Sequence, residues 1–477
     1  MVKRFFGVLT LLVLLTVTGY SQWQFSGVFP DSSDAAIKMT GNIHGMAVDP
    51  DGKVWMMDYY AYARNRVTVP YPDVNNPGQN LDSSIAVRAL HVFNPDGTLH
   101  TFPTTNGIQV ENPILFYRDA NGTVVDTISG AYPWIAVGGT ITTGRGMRAD
   151  ANGNIVAVYA YFHYKFDYKT GFGLGKVVPF AGSSVSPGIS KEGNKMFAAQ
   201  VVGGAQPIKE YDNAFNYVGD AVPLSVGFSR SFEVSSDGNV IYWAGYTLHG
   251  IYVYQRADEF STFDSVGVIL KGFDSESFTW DPATGWLWAS AGSGNDLPNR
   301  FVEPDGTPVV TYWSPNTWYG YDVENNMVVD SIPWVNLVDG TLQRPRAIAF
   351  SPTGDTCYVG NFGSSAYPGV QRFINTNRPQ SLRHDNSGLV KGFELVQNYP
   401  NPFNPSTDIK FSVQNSGMTS LKVYDVLGRE VAVLVNENLN SGQYIFTFNG
   451  SNLASGTYVY ELVSNGTRIA KKMLLMK

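Results

Sequence analysis

Arg230-Ser231-Phe232-Glu233-Val234-Ser235-Ser236-Asp237-Gly238-Asn239-Val240-Ile241-Tyr242-Trp243 decides the fold. A short alternating run leads into Asp-Gly, one of the strongest short-range hairpin signals, and an apolar run follows. Alternation marks a half-buried strand; a near-continuous apolar strand marks one buried on both faces, as when sheets stack on one another. The unit recurs. Its first strand is matched by His44-Gly45-Met46-Ala47-Val48-Asp49, Arg145-Gly146-Met147-Arg148-Ala149-Asp150, Pro187-Gly188-Ile189-Ser190, Glu276-Ser277-Phe278-Thr279-Trp280-Asp281 and Arg346-Ala347-Ile348-Ala349-Phe350-Ser351. Each has a polar residue or proline, then a small residue, then an apolar one. The turns match too, as Pro50-Asp51-Gly52, Ala151-Asn152-Gly153, Lys191-Glu192-Gly193, Ala283-Thr284-Gly285 and Pro352-Thr353-Gly354. Apolar second strands follow, among them Val54-Trp55-Met56-Met57, Ile155-Val156-Ala157-Val158 and Cys357-Tyr358-Val359. In mid-chain the repeats are spaced by about 42 to 46 residues, the length of a four-stranded propeller blade, with longer intervals at both ends. The expected fold class is therefore all-β: a six-bladed β-propeller over residues 22–375. The stretch Ile114-Leu115-Phe116-Tyr117-Arg118-Asp119-Ala120-Asn121-Gly122 is either an inserted hairpin or a degenerate seventh blade. The segments 63–84 and 292–316, rich in Pro, Asn and Asp, read as surface loops.

The repeat selects a candidate site. In a propeller the innermost strand starts, and the second strand ends, on one face beside the central channel. The first set is His44, Arg145, Pro187, Arg230, Glu276 and Arg346; the second is Asp58, Tyr159, Gln200, Gly245, Ala291 and Asn361. Three planar arginine forks suit a carboxylate or phosphate, so the functional reading is a funnel for an anionic or polyhydroxylated ligand. The alternative is a network in which Asp58 and Glu276 neutralise the arginines and close the channel. Aromatics such as Tyr59, Tyr60, Tyr62, Trp313 and Trp318 either stack on sugars or a protein partner, or pack between blades.

The repeats resemble the NHL type found in propellers related to gluconolactonases. That resemblance implies a divalent metal at the channel mouth held by a Glu, Asn and Asp set, which here maps onto Glu276, Asn361 and Asp58. The surrounding arginines oppose a cation, and hard cations want several oxygen ligands. No cofactor is predicted from the residues themselves; the resemblance leaves room for a divalent cation such as calcium. Asp49, Asp51, Asp150 and Asn152 look like calcium ligands, but their hairpin turns explain them. The six histidines lack zinc-binding spacing, and there is no nucleophile elbow or phosphate-cradling loop. Binding is accordingly favoured over a metal-dependent hydrolase, lactonase or lyase.

The C-terminal part is a second all-β unit. Asn398-Tyr399-Pro400-Asn401-Pro402-Phe403-Asn404-Pro405-Ser406-Thr407 opens it, and Val423-Tyr424-Asp425-Val426-Leu427-Gly428-Arg429-Glu430-Val431, Ser441-Gly442-Gln443-Tyr444 and Ser455-Gly456-Thr457-Tyr458-Val459-Tyr460 follow. Period-2 runs such as Ile409-Phe411-Val413 and Tyr444-Phe446-Phe448, separated by turn residues, predict a small immunoglobulin-like β-sandwich over residues 392–477. Its prolines lack an amide donor, so the opening is an extended edge lead-in. The matched stretches resemble the sorting domain of the type IX secretion system. The resemblance implies a sorting signal carried by Asn401, Pro402, Phe403, Asn404, Pro405, Gly428, Lys471 and Lys472, with the type IX machinery as partner. Residues 376–391, polar and aperiodic, read as a linker.

The start of the chain fits export. Lys3 and Arg4 precede the apolar stretch Phe5 to Val17, and Gly19-Tyr20-Ser21 supplies small residues where a signal peptidase reads, so residues 1–21 are expected to be a secretory signal. No later segment approaches the roughly 20 apolar residues a membrane span needs. The protein is expected to be secreted or anchored at the outer surface. A net charge of −7 without a basic patch argues against nucleic acid. Cys357 is the single cysteine, so no intramolecular disulfide forms.

Overall fold

The computed structural model describes residues 22–31, 42–59, 65–72, 75–128, 143–201, 206–291, 298, 300–335, 344–362, 369–375, 382–384, 392–404, 406–439, 441–450 and 453–476. The expected secretory signal, residues 1–21, and Pro405, Tyr60 and Tyr62 lie outside the described residues.

Between Trp23 and Asn375 the described residues form six antiparallel sheets of three or four strands. Sheet I holds Ile43–Val48, Val54–Asp58 and Leu90–Phe93. Sheet II holds Gly144–Ala149, Ile155–Tyr159, Phe162–Phe166 and Gly173–Val177; sheet III holds Gly188–Ser190, Lys195–Ala198, Ile208–Asp212 and Tyr217–Val222. Sheet IV runs from Phe232–Val234 through Val240–Gly245 and Gly250–Gln255 to Asp264–Ile269, and sheet V from Ser275–Trp280 through Leu287–Ala291 and Thr317–Asp322 to Met327–Pro333. Sheet VI pairs Arg344–Phe350, Thr356–Phe362 and Val370–Asn375 with the first described strand, Trp23–Val28, so the two ends of the ring are sealed by backbone hydrogen bonds. The innermost strands neighbour one another in order, and that of sheet VI packs against that of sheet I. A closed ring around an axis results: a propeller-like arrangement.

Each sheet obeys the strand chemistry read from the sequence. Val54–Asp58, Ile155–Tyr159 and Leu287–Ala291 are buried along their whole length because other sheets cover both faces. The large aromatics fill the gaps between sheets. Trp55 of sheet I meets Phe166 of sheet II at 6.4 Å between ring centroids, and Trp288 of sheet V meets Phe350 of sheet VI at 5.6 Å. Removing one such ring from water contributes about 1.5–3 kcal/mol. Cys357 is fully buried in this packing, as a small apolar residue would be.

In the first two repeats the small residue has a steric cause. A Cβ on Gly45 would lie 2.8 Å from the Cα of Gly146, and one on Gly146 would lie 2.6 Å from the Cβ of Ser186. The innermost strands of sheets I and II, and the segment that leads into sheet III, therefore approach too closely for larger side chains at these positions.

Three readings are made more specific. The stretches read as surface loops carry hairpins of their own, Arg66–Pro72 with Asn80–Ala86 and Phe301–Val302 with Pro308–Val309. Phe116–Arg118 and Val124–Thr127 pair only with each other, as an inserted hairpin tied to sheet II through Asp126, which accepts Lys176 Nζ at 2.7 Å. Within the expected linker, Leu382–His384 pairs with Gly442–Asn449 and so forms an edge strand of the second domain. Polarity signalled a linker there, but an edge strand needs only backbone donors and acceptors.

That second domain is a sandwich of two four-stranded sheets. One is ordered Leu382–His384, Gly442–Asn449, Ser406–Val413, Glu394–Leu395; the other Glu430–Leu439, Gly417–Tyr424, Gly456–Ser464, Thr467–Leu475. Inward residues of both, such as Ile409, Phe411, Leu421, Tyr460 and Leu475, make one apolar core.

Candidate functional site

Four of the expected channel residues stand where strand pairing is irregular. In sheet I the register runs from Ile43 opposite Asp58 to Gly45 opposite Met57, leaving His44 as the extra residue. Arg145 is skipped between Gly144 and Gly146, Arg346 between Pro345 and Ala347, and both Glu276 and Ser277 between Ser275 and Phe278. A bulge re-aims the extra side chain. Here the repeated irregularity brings His44, Arg145, Glu276 and Arg346 to the walls of one space on the axis.

Bulges leave amides that need acceptors. The Glu276 and Ser277 amides both donate to the buried Ser290 Oγ, at 3.2 and 2.9 Å, while Ser275 Oγ donates to the Ser277 carbonyl at 3.0 Å. Sheet IV repeats the device around Arg230: Ser229 Oγ donates to the Ser231 carbonyl at 2.9 Å and accepts the Ser231 amide at 3.3 Å. The sequence signal is the pair Ser229-Arg230-Ser231-Phe232 and Ser275-Glu276-Ser277-Phe278, whose first serines the repeat alignment passed over.

Charges meet at the axis in two groups. Glu276, fully buried, contacts Arg346 directly and lies 3.6 Å from Arg230 Nε. Deeper in, Arg148 Nε donates to Glu233 at 2.7 Å, and its other nitrogens reach the carbonyls of Met147 and Phe278. Aromatic rings line the cations: Arg346 lies 4.9 Å from the Phe362 ring centre, Arg230 4.9 Å from Tyr246, and Arg145 5.8 Å from Tyr59. His44 packs beside Tyr59 and Phe362. Burial, followed by the fields of Arg346, Arg145 and Arg230, holds the His44 imidazole well below its ordinary range, so it is neutral at pH 7. Burial and the neighbouring Arg230 lower the Arg346 guanidinium as well. The space left among these side chains is about 10 Å³, room for a single water at most.

Two expected members differ in role. Asp58 turns to its own sheet, where its Oδ2 takes His91 Nε2 at 3.0 Å and Asn65 Nδ2 at 3.3 Å. Of the two acids expected on the face, Glu276 lines the axial space, while the third-strand His91 takes the Asp58 carboxylate. Asn361 is buried, its carbonyl accepting the Asn42 amide at 3.0 Å and its own amide donating to Gly369 at 3.0 Å. Among the described residues no group of three or more His, Cys, Asp or Glu is placed to hold a metal. The calcium-like pairs behave as turns: Asp49 Oδ1 accepts the amides of Asp51 and Lys53, and Asp150 Oδ1 those of Asn152 and Asn154.

Arg145 is the exception among the aligned arginines. Its Nε donates to Ser183 Oγ at 3.0 Å, and no carboxylate is paired with it among the described residues. Arg88, which the repeat alignment missed because it lies in a connection, has its guanidinium lowered by burial and stands near Tyr159 and Tyr59. Among these channel-face residues the balance is four arginines, Arg145, Arg148, Arg230 and Arg346, against the carboxylates Glu233 and Glu276.

The residues expected to carry the sorting signal take structural places. Asn401 Oδ1 accepts the Leu474 amide at 2.9 Å, and the buried Phe403 exchanges backbone hydrogen bonds with Leu474 and Met476, binding the opening to the edge of the last strand. Pro402 follows Asn401 through a cis peptide, Asn404 is exposed, and Gly428 closes a turn at φ +79°. Lys471 and Lys472 lie on Thr467–Leu475, opposite Tyr460 and Val459.

A ring of antiparallel sheets closed by its first described strand is a propeller-like arrangement, and an apolar β-sandwich follows it in the chain. Residues 397–476 match the secretion system C-terminal sorting domain, and that stretch belongs to this family. The domain directs the chain to the type IX secretion machinery, and the protein is secreted or held at the outer surface. No curated protein matches the chain. Among solved structures it is similar to a luciferin-regenerating enzyme, at 8% identity and a TM-score of 0.42, with 72% of this chain and 95% of that chain covered. Among the described residues no helix is long and apolar enough to cross a membrane.

Proposed function

We propose that the exported propeller-like domain is a binding module that holds an anionic ligand at the channel mouth. The observation that carries this reading is the charge imbalance around Arg145, a partly buried guanidinium with a hydroxyl and an aromatic ring for neighbours and no carboxylate among the described residues. Its fork is pre-set for a carboxylate, sulfate or phosphate oxygen pair, in a setting where a charge-assisted bond contributes about 1.5–3 kcal/mol. The narrow axis means that the ligand rests on the mouth and does not thread the channel. Tyr59 and Tyr246 supply faces on which a sugar ring carrying the anion would stack. Titration calorimetry of the chain lacking residues 1–21, with sulfate, citrate and a uronic-acid oligosaccharide, tests it. Binding should weaken as salt rises and fall by about tenfold or more in Arg145→Gln. Equal binding by Arg145→Gln, or none by the parent, would remove the reading.

The metal-dependent hydrolase or lactonase is the competing reading. It needs Glu276, Asn361 and Asp58 free to ligate a cation such as calcium. Glu276 is held between two arginines and Asp58 by His91, so the geometry supports the anion site instead.

A further inference from the structure

The sorting domain carries an exposed apolar tip that folding does not require. Between Gly417–Tyr424 and Glu430–Leu439 the chain turns through Asp425-Val426-Leu427-Gly428-Arg429. Asp425 Oδ1 accepts the amides of Leu427 and Arg429 at 2.9 and 3.0 Å, its Oδ2 takes Arg429 Nε at 2.7 Å, and the Gly428 amide donates to the Asp425 carbonyl at 3.0 Å. The turn is rigid, yet Val426 and Leu427 are 72% and 75% exposed, and neither joins the sandwich core.

The same chain supplies the control. Turns beginning at Asp49, Asp119 and Asp150 have the same construction: each aspartate's Oδ1 accepts the amides two and four residues on, and a glycine with φ of +81°, +86° or +84° donates to its carbonyl. Their two central residues are Pro50-Asp51, Ala120-Asn121 and Ala151-Asn152. Turn geometry thus asks for the aspartate and the glycine and accepts proline, alanine or polar residues between them. Only in the sorting domain is that pair Val-Leu among these four turns. Two adjacent large apolar side chains on a hydrogen-bonded tip lose little backbone freedom when they dock, which is how a small anchor gives a tight contact.

We propose that Val426 and Leu427 form an apolar prong that enters a hydrophobic pocket on a protein subunit of the type IX machinery. The exposed Arg429 beside it, held by Asp425, fixes the direction of approach. The proposal rests on residues 397–476 acting as the sorting signal, and the test separates the two. In a cell carrying the machinery, export of the parent is compared with Val426→Pro/Leu427→Asp, which rebuilds the Pro50-Asp51 turn, and with deletion of residues 392–477. Deletion should keep the protein inside the outer membrane. The Pro-Asp chain should retain the parental melting temperature within a few degrees, yet reach the exterior about tenfold less or worse and accumulate folded in the periplasm. Val426→Ile/Leu427→Met should be exported normally, and Val426→Thr/Leu427→Gln should repeat the export loss if the Pro-Asp chain proves unstable. Parental export of the folded polar variants overturns the prong, and parental export of the deletion overturns the sorting role itself.

Discussion

The two domains use one hairpin chemistry but treat charge in opposite ways. In the sandwich the buried polar side chains among the described residues are Asn398, Thr407, Ser412, Thr419 and Ser464, none of them charged. In the propeller-like domain Arg346, Glu276, Glu233, Arg256, Glu210, His91 and Asp58 are all buried. A sandwich closes on itself, so side chains from both sheets meet in a continuous apolar core. A ring leaves an axis that must be filled, and here it is filled with ion pairs whose desolvation roughly cancels their attraction. The sandwich is therefore held by packing and presents its chemistry outside, while the ring keeps its chemistry inside.

The comparison breaks most sharply at Glu276. Glu276→Ala leaves Arg346 buried beside Arg230 without compensation, and should cost about 3–5 kcal/mol in denaturant unfolding of the propeller-like domain. A cost below about 1 kcal/mol would mean that the axis is wetter than its 10 Å³ space suggests.

Acid should separate the domains next. Burial alone pushes the His163 imidazole down to about 3, and His44 is lowered by burial together with three arginines. An unfolded histidine titrates near 6.5, so below that pH the unfolded state takes up the proton first. The stability these neutral histidines preserve is complete above pH 6.5. For His163 it falls by about 1.4 kcal/mol per pH unit as the pH drops towards 3, and His44 adds a loss in the same direction. His163→Leu should flatten that slope in melting experiments between pH 6.5 and 4, and an unchanged slope would assign the acid sensitivity elsewhere.

Smaller effects sharpen the picture. Ser290→Ala strands the two amides freed by the bulge at Glu276 and should cost about 1–3 kcal/mol. Arg145→Gln should change stability by no more than about 0.5 kcal/mol, because among the described residues the side chain has no buried carboxylate to orphan. A large loss there would make Arg145 a structural partner instead of a ligand group.

Much of this was legible in the residues. The Asp-Gly and Asn-Gly turns, the small position after each channel residue and the doubly buried second strands all follow from local rules, and they gave both the ring of sheets and the aligned set His44, Arg145, Glu276 and Arg346. The sequence did not reveal that bulges place those side chains, because a register shift depends on the partner strand. Nor did it reveal that Asp58 is taken by His91, since strand ends carry no sign of which third-strand residue faces them. Sealing of the last sheet by Trp23–Val28 was hidden for the same reason: that strand's partner lies at the far end of the domain. Arg88 sits in a connection without a repeat and had no signal at all.

The most direct test of the account is a pair of titrations on the same protein, one with calcium and one with a uronic-acid oligosaccharide, each repeated on Glu276→Gln and Arg145→Gln. The account predicts saturable anion binding that Arg145→Gln weakens about tenfold or more, and no stoichiometric calcium binding. Calcium bound at one equivalent and lost in Glu276→Gln, with the anion ignored, would contradict it.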